Sequence, residues 1–134
     1  MKESILEVKN LHFAYDEHHT VLDGISLSVF AGERIAILGS NGAGKSTFFL
    51  NLNGVLTPAE GEISYRGTKI TRKTLKKLRQ HIGIVFQDTD NQIIASSVLA
   101  EVSFGPMNLK LPRSEVEERV NTCLLYTSDA ADDL

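Results

Sequence analysis

The sequence predicts an α/β fold, and three observations carry that prediction. Ile5–Tyr15 and Ile25–Phe30 alternate apolar and polar residues, the pattern of strands with one wet face. Arg34–Leu38 and Ile82–Phe86 are short, nearly continuous apolar runs, as expected of parallel strands covered on both faces. Between those runs a glycine-rich turn, "GSNGAGKST", opens into "FFLNLNG", a short helical pattern.

The remaining elements follow in order. The polar "DEHHT" turns the chain between the first two strands, and Ile25, Leu27 and Val29 share one face of the second. Ala31-Gly32-Glu33 turns it again into the apolar run at Arg34. Gly54 suits the C-terminal cap of the first helix. "GEISYRG" is a further short strand, and "TRKTLKKLRQH" reads as a basic helix with Leu75 and Leu78 three apart. "SVLAEVSF" reads as a helix ended by Gly105-Pro106. Ser114 and Glu117 form a capping-box pattern for a last helix, which carries Val116, Val120 and Leu124 at four-residue spacing.

Composition narrows the function classes. A chain of 134 residues, 42% hydrophobic and 23% charged, is that of one modest globular domain. A single cysteine, Cys123, excludes an internal disulfide framework and favours a reducing, cytosolic setting. No apolar run approaches the roughly 20 residues that span a bilayer, and the N-terminus lacks a signal-peptide h-region. The net charge of −3 resides in Asp129, Asp132 and Asp133; removing them leaves 14 acids against 14 Lys and Arg. The main body is therefore neutral, and nucleic acid is not an expected partner.

The glycine-rich turn is where the chemistry resides. Gly39-Ser40-Asn41-Gly42-Ala43-Gly44-Lys45-Ser46, followed by Thr47, fits G-x-x-x-x-G-K-[ST] at every fixed position. Small residues let the backbone fold tightly and aim successive N–H groups at phosphate oxygens. The helix that follows points its positive dipole end at the same place. Lys45 can reach the β/γ-phosphates, and the Ser46 hydroxyl suits magnesium. The expected architecture is a P-loop NTPase (RecA-like) core.

Flanking residues select among the many P-loop families. Tyr15 ends the first strand in "FAYD", and Gln87 follows the second apolar run in "IVFQD". Together with "VLDGISLSVFAGERIAILGSNGAGKST" they resemble the ATP-binding-cassette (ABC) ATPases. The resemblance covers residues 4 to about 122. It implies an antiparallel β-subdomain of the ABC ATPase type before the P-loop core. It implies Tyr15 stacking on adenine, Gln87 touching magnesium together with Ser46, and ATP and Mg2+ as cofactors. An unrelated P-loop kinase or GTPase would need a different base-recognition element.

"VFQDTDNQIIASSVLAEVSFGPMNLKLPRSEVEERV" is similar to the energy-coupling-factor and cobalt/nickel-type importer ATPases, departing from their pattern at Thr89, Ile94 and Ser96. That resemblance implies a surface from Gln87 to Leu109 facing a transmembrane coupling component. Phe86, Gln87, Asp88, Gln92, Glu101, Val102, Phe104, Gly105, Pro106, Asn108 and Leu109 would line it. It also implies a second ATPase subunit, identical or related, and a peripheral position on the cytoplasmic face of the cell membrane. Uptake of a metal ion or vitamin is the implied activity; an ATPase of another ABC subfamily is the alternative.

Two motifs of such ATPases do not occur in these residues. There is no L-S-G-G-Q type loop and no apolar run ending in Asp-Glu, so the catalytic Glu is missing. Phosphoryl transfer would lack both positioning and charge stabilisation. The expectation is an incomplete core that binds nucleotide without turnover and leaves an apolar edge uncovered. The ending "CLLYTSDAADDL" resembles the in-frame translation of adapter DNA used in sequencing libraries. Residues 1–122 are thus expected as the N-terminal part of one ABC ATPase domain and 123–134 as a non-native tail. Adjacent His18 and His19 read as a solvated turn and not a metal site. The basic stretch from Arg66 to His81 reads as a solvated face.

Overall fold

The computed structural model describes residues 3–132, with side chains through Tyr126. The chain divides into two compact units, Met1–Ile84 and Val85–Leu134. The first holds strand β1 (Ser4–Asp16), strand β2 (His19–Phe30), helix α1 (Lys45–Leu52), strand β3 (Glu60–Tyr65), strand β4 (Thr68–Lys69) and the single-turn helix α2 (Leu75–Leu78). The second holds a 3-10 turn (Asp90–Gln92), helix α3 (Val98–Asn108) and helix α4 (Arg113–Asp132).

The strands make one antiparallel sheet in the order β2-β1-β3-β4. Glu17 and His18 close the β1–β2 hairpin, where Asp16 pairs with His19 and its carboxylate accepts from the His18 N–H at 2.9 Å. A bulge explains how β1 can bury residues of both parities. Asn10, at φ 49, is the extra residue between the Val8–Leu27 and Leu11–Ile25 pairs. It moves the inward face from Leu6 and Val8 to Leu11, Phe13 and Tyr15. Val8, Leu11, Phe13, Leu22 and Ile63 are buried on that face. Phe48 of α1 completes the cluster, so the same core that stabilises the sheet anchors the helix after the glycine-rich turn.

The antiparallel subdomain matches the sequence reading, and four local expectations need correction. Arg34–Leu38 and Ile82–Phe86 are not strands: 33–40 and 82–86 have no regular structure and neither joins the sheet. A strand exists only through its ladder partners, a parallel partner arrives only through a crossover connection, and neither segment has one among the described residues. Leu38 and Val85 are accordingly left in solvent, at 90% and 85% exposure, while Ile37 packs partly against the core.

The basic helix shrinks to Leu75–Leu78. The Thr71 N–H donates to Thr74 Oγ1 at 2.8 Å, and that hydroxyl donates to the Lys69 carbonyl at 2.8 Å. The Thr74 hydroxyl thus caps an amide that has no helical acceptor, while the Thr71 carbonyl accepts the Leu75 N–H at 2.9 Å. Gln80 and His81 then donate back three residues, to Lys77 and Leu78, in a tighter 3-10 manner.

Helix α3 does not stop at Gly105-Pro106. It runs to Asn108, with the Leu109 N–H bonded to the Gly105 carbonyl at 3.1 Å. Proline in the last turn removes only one helical bond; the stop comes from Lys110, at φ 56. The Ser114–Glu117 capping box is also replaced. Helix α4 starts from the Pro112 carbonyl, which accepts from Glu115 and Val116, and Glu117 pairs with Arg113 at 2.9 Å. Val116, Val120 and Leu124 do form the more buried stripe of α4, which packs on α3.

Candidate nucleotide site

The glycine-rich turn is built around two backbone positions. Gly42 and Gly44 have φ of 83° and 94°, conformations that side-chain-bearing residues rarely adopt. Ala43 closes the turn by donating to the Ser40 carbonyl at 3.1 Å. Gly44 is the N-cap of α1 and carries no side-chain cap. A Cβ there would stand 2.9 Å from Val21 Cγ1 and 3.1 Å from the Val21 carbonyl oxygen. The loop therefore ends in close contact with β2, which glycine alone permits.

The first helical bond of α1 runs from the Phe48 N–H to the Gly44 carbonyl at 2.9 Å. The amides of Lys45, Ser46 and Thr47 consequently face out of the helix N-terminus without helical acceptors. Such amides, with the dipole behind them, suit a phosphate. The Lys45 ammonium donates to the carbonyls of Gly39 and, at 3.2 Å, Ser40, drawing the two ends of the loop together. Gly39, Ser40, Asn41, Gly42, Ala43, Gly44, Lys45, Ser46 and Thr47 thus form one continuous turn and helix start.

Tyr15 reaches the same helix. Its hydroxyl lies 2.9 Å from Thr47 Oγ1, and its ring meets Phe13 edge-on, with centroids 4.9 Å apart at 87°. Phe13 is buried while Tyr15 remains 61% exposed, so the ring is fixed by its edge and tip with much of its surface open. Sequence reading missed Thr47 as the partner of Tyr15 and Val21 as the wall behind Gly44. The i, i+2 spacing of Phe13 and Tyr15 was the available signal for their shared face. Asn51, 1% exposed, satisfies its buried amide within α1 by donating from Nδ2 to the Thr47 carbonyl at 2.8 Å.

Gln87 lies in the second unit, on an exposed bend. The loop after it is tied from within. Gln92 Nε2 donates to the carbonyls of Phe86 and Asp88, at 3.1 and 3.0 Å. Glu101, in the first turn of α3, accepts the amides of Ile94 and Ala95 at 2.9 and 2.7 Å. These two side chains shape the loop, and Ile93, Ile94, Val98, Leu99, Phe104 and Met107 remain exposed around it.

Comparison with known proteins agrees with this geometry. A family model described as ABC transporter matches residues 22–131. The chain belongs to the ABC transporter family. It is 48% identical over 122 residues to the energy-coupling factor transporter ATP-binding protein EcfA of Methanocaldococcus jannaschii, covering 90% of this chain and 44% of that one. It is 46% identical over 129 residues to EcfA2 of Clostridium perfringens, covering 95% and 45%. The solved structure of CbiO1 from Clostridium perfringens, described as part of the ABC transporter complex CbiONQ, superposes with a TM-score of 0.83 at 46% identity, covering 95% of this chain and 51% of that one. The chain thus spans about half the length of these ABC proteins. The fold is that of the ABC ATPases, with the antiparallel N-terminal subdomain present. Among the described residues no helix is long and apolar enough to cross a membrane.

Proposed function

We propose that this chain is the N-terminal part of the ATP-binding subunit of an importer of the energy-coupling-factor type, serving a metal ion or a vitamin. The observation that carries the reading is the turn from Gly39 to Ser46 on the N-terminus of α1, with Tyr15 bonded to the same helix through Thr47. The amides of Lys45, Ser46 and Thr47 hold the phosphates, and Lys45 exchanges its loop carbonyls for β/γ-phosphate oxygens. The open face of Tyr15 takes adenine. Ser46 and Gln87 would serve as magnesium ligands, and the metal would supply charge neutralisation for the phosphates. The exposed apolar surface between Gln87 and Leu109 receives a transmembrane coupling component, and a second ATPase subunit supplies the closing half of the site. The protein then sits peripherally on the cytoplasmic face of the membrane. Residues 123–134 stand outside this assignment as a non-native tail.

The chain itself acts as a nucleotide-binding fragment, because its sequence contains neither an L-S-G-G-Q type loop nor an apolar run ending in Asp-Glu. Titration with ATP and GTP, with and without magnesium, tests both halves of the reading. The expected result is magnesium-dependent ATP binding, preferred over GTP, lost in Lys45→Ala, with hydrolysis at background. Equal affinity for GTP would overturn the adenine assignment, and turnover at ordinary ATPase rates the fragment assignment.

A further inference from the structure

The basic stretch from Arg66 to His81 takes no part in the phosphate loop, and the structure gathers part of it around a cavity of about 430 Å³. Arg66, Thr68, Lys77 and His81 contribute polar groups to its wall, and Ile70 and Leu78 contribute apolar surface. The volume is in the range of small-molecule sites, and the cavity shares no residue with the Gly39–Ser46 turn. Among the described residues no carboxylate lines it. Neither Arg66 nor Lys77 forms an ion pair with any described residue; nearby Glu62 is held by Lys69 at 3.2 Å. Two cations lining one cavity repel one another, and a doubly charged anion between them relieves that repulsion.

The wall is also preorganised. His81 stacks on Tyr65, with centroids 5.7 Å apart at 16°, and the Arg66 guanidinium carbon lies 5.8 Å from the centre of the same ring. Arg66 and Gly67 make the two-residue turn between β3 and β4, with φ of 44° and 79°. Such turns favour Asn-Gly, so arginine occupies a strained position that its side chain's local conformation does not require. The Arg66 N–H donates to the Ile5 carbonyl at 2.9 Å, which pins the turn to β1. The guanidinium is thereby presented on a fixed backbone, and the buried Leu78 with the partly buried Ile70 forms an apolar floor.

We propose that this cavity binds a small phosphate monoester, its phosphate between Arg66 and Lys77 and its carbon body on Ile70 and Leu78. Arginine offers a planar fork for phosphate oxygens and lysine a point charge, the pairing that phosphate recognition uses. The ester can be free in solution or the headgroup of a lipid.

Calorimetric titration of the full chain with glycerol 3-phosphate, beside sedimentation with phosphatidylcholine vesicles with and without phosphatidic acid, tests the site. Saturable binding of glycerol 3-phosphate assigns a soluble ester; binding confined to vesicles with phosphatidic acid assigns a headgroup. Arg66→Asn removes the charge while keeping a residue that tolerates the turn, and Lys77→Gln is on the surface. Each is expected to weaken binding about tenfold, in line with loss of one charge-assisted hydrogen bond, while Lys45→Ala leaves it unchanged. Because Lys45→Ala removes only the nucleotide site, failure of the two sites is distinguishable. Binding of neither probe, or undiminished binding in both Arg66→Asn and Lys77→Gln, would overturn the proposal.

Discussion

The Tyr15 hydroxyl and Thr47 Oγ1 stand 2.9 Å apart, joining the end of β1 to the first turn of the helix that closes the phosphate loop. Thr47 is buried, so its hydroxyl has few other partners to turn to. Tyr15→Phe is expected to cost about 1 kcal/mol, the net worth of one hydrogen bond, read as a shift in urea midpoint. ATP affinity should change little, because the ring face is kept. Tyr15→Ala should lower ATP affinity several-fold as well. Equal ATP affinity in Tyr15→Ala and the parent would show that the ring does not serve adenine.

Gly61 shows how tightly β3 is laid against the β1 bulge. At φ 87 its missing Cβ would lie 2.2 Å from the Asn10 carbonyl oxygen and 2.5 Å from that of Lys9. Both obstacles are backbone, so no side chain can swing away. Gly61→Ala should destabilise the first unit by about 3 kcal/mol or more, combining backbone strain with a forced shift. Gly67→Ala is the control: its φ of 79° is similar, but nothing lies within 4 Å of the added atom. A milder loss of about 1 kcal/mol is expected there, and equal losses would mean that close approach is irrelevant.

The sequence was most readable where structure is local. Alternation in β1 and β2 reports pairing through a two-residue turn, and the glycine spacing of the loop reports backbone angles at Gly42 and Gly44. It was least readable where a segment depends on distant partners. Arg34–Leu38 has the composition of a buried parallel strand, yet composition supplies no ladder, and the segment stays irregular. The contact between Tyr15 and Thr47 spans 32 residues and is set by the parity change at Asn10, which no periodicity window reveals. Helix α2 is shorter for a different reason, because at Gln80 and His81 the backbone bonds tighten to three-residue spacing.

Asp16 provides a pH-dependent contribution of known sign. The side-chain bond from His19 Nδ1, at 2.8 Å, and the His18 amide hold its carboxyl below the ordinary carboxylate range. A group whose folded pKa is depressed adds stability above its unfolded pKa and loses it as pH falls through the folded value. The Asp16 contribution to the β1–β2 turn should therefore be lost on acidification below the usual Asp range. The effect is small, since the pair is exposed. Following the Asp16 carboxyl by NMR titration checks it. Asp16→Asn should remove the turn's acid sensitivity, and an ordinary Asp titration in the parent would refute the assignment.

The uncovered apolar segments make solubility the most accessible test of how this chain stands in its fold. Leu38 and Val85 are 90% and 85% exposed on stretches without strand pairing, and Ile35 and Phe86 are also exposed. Unpaired N–H and C=O groups beside apolar side chains are a template for pairing with other chains. The chain is expected to be marginally stable and to self-associate with rising concentration. Leu38→Lys with Val85→Lys should reduce light scattering several-fold, since charge on such segments opposes stacking. The core of β1–β3 and Phe48 involves neither residue, so the denaturation midpoint should move by less than about 0.5 kcal/mol. A monodisperse parent at high concentration, or a double variant that aggregates equally, would show that these segments are covered in solution.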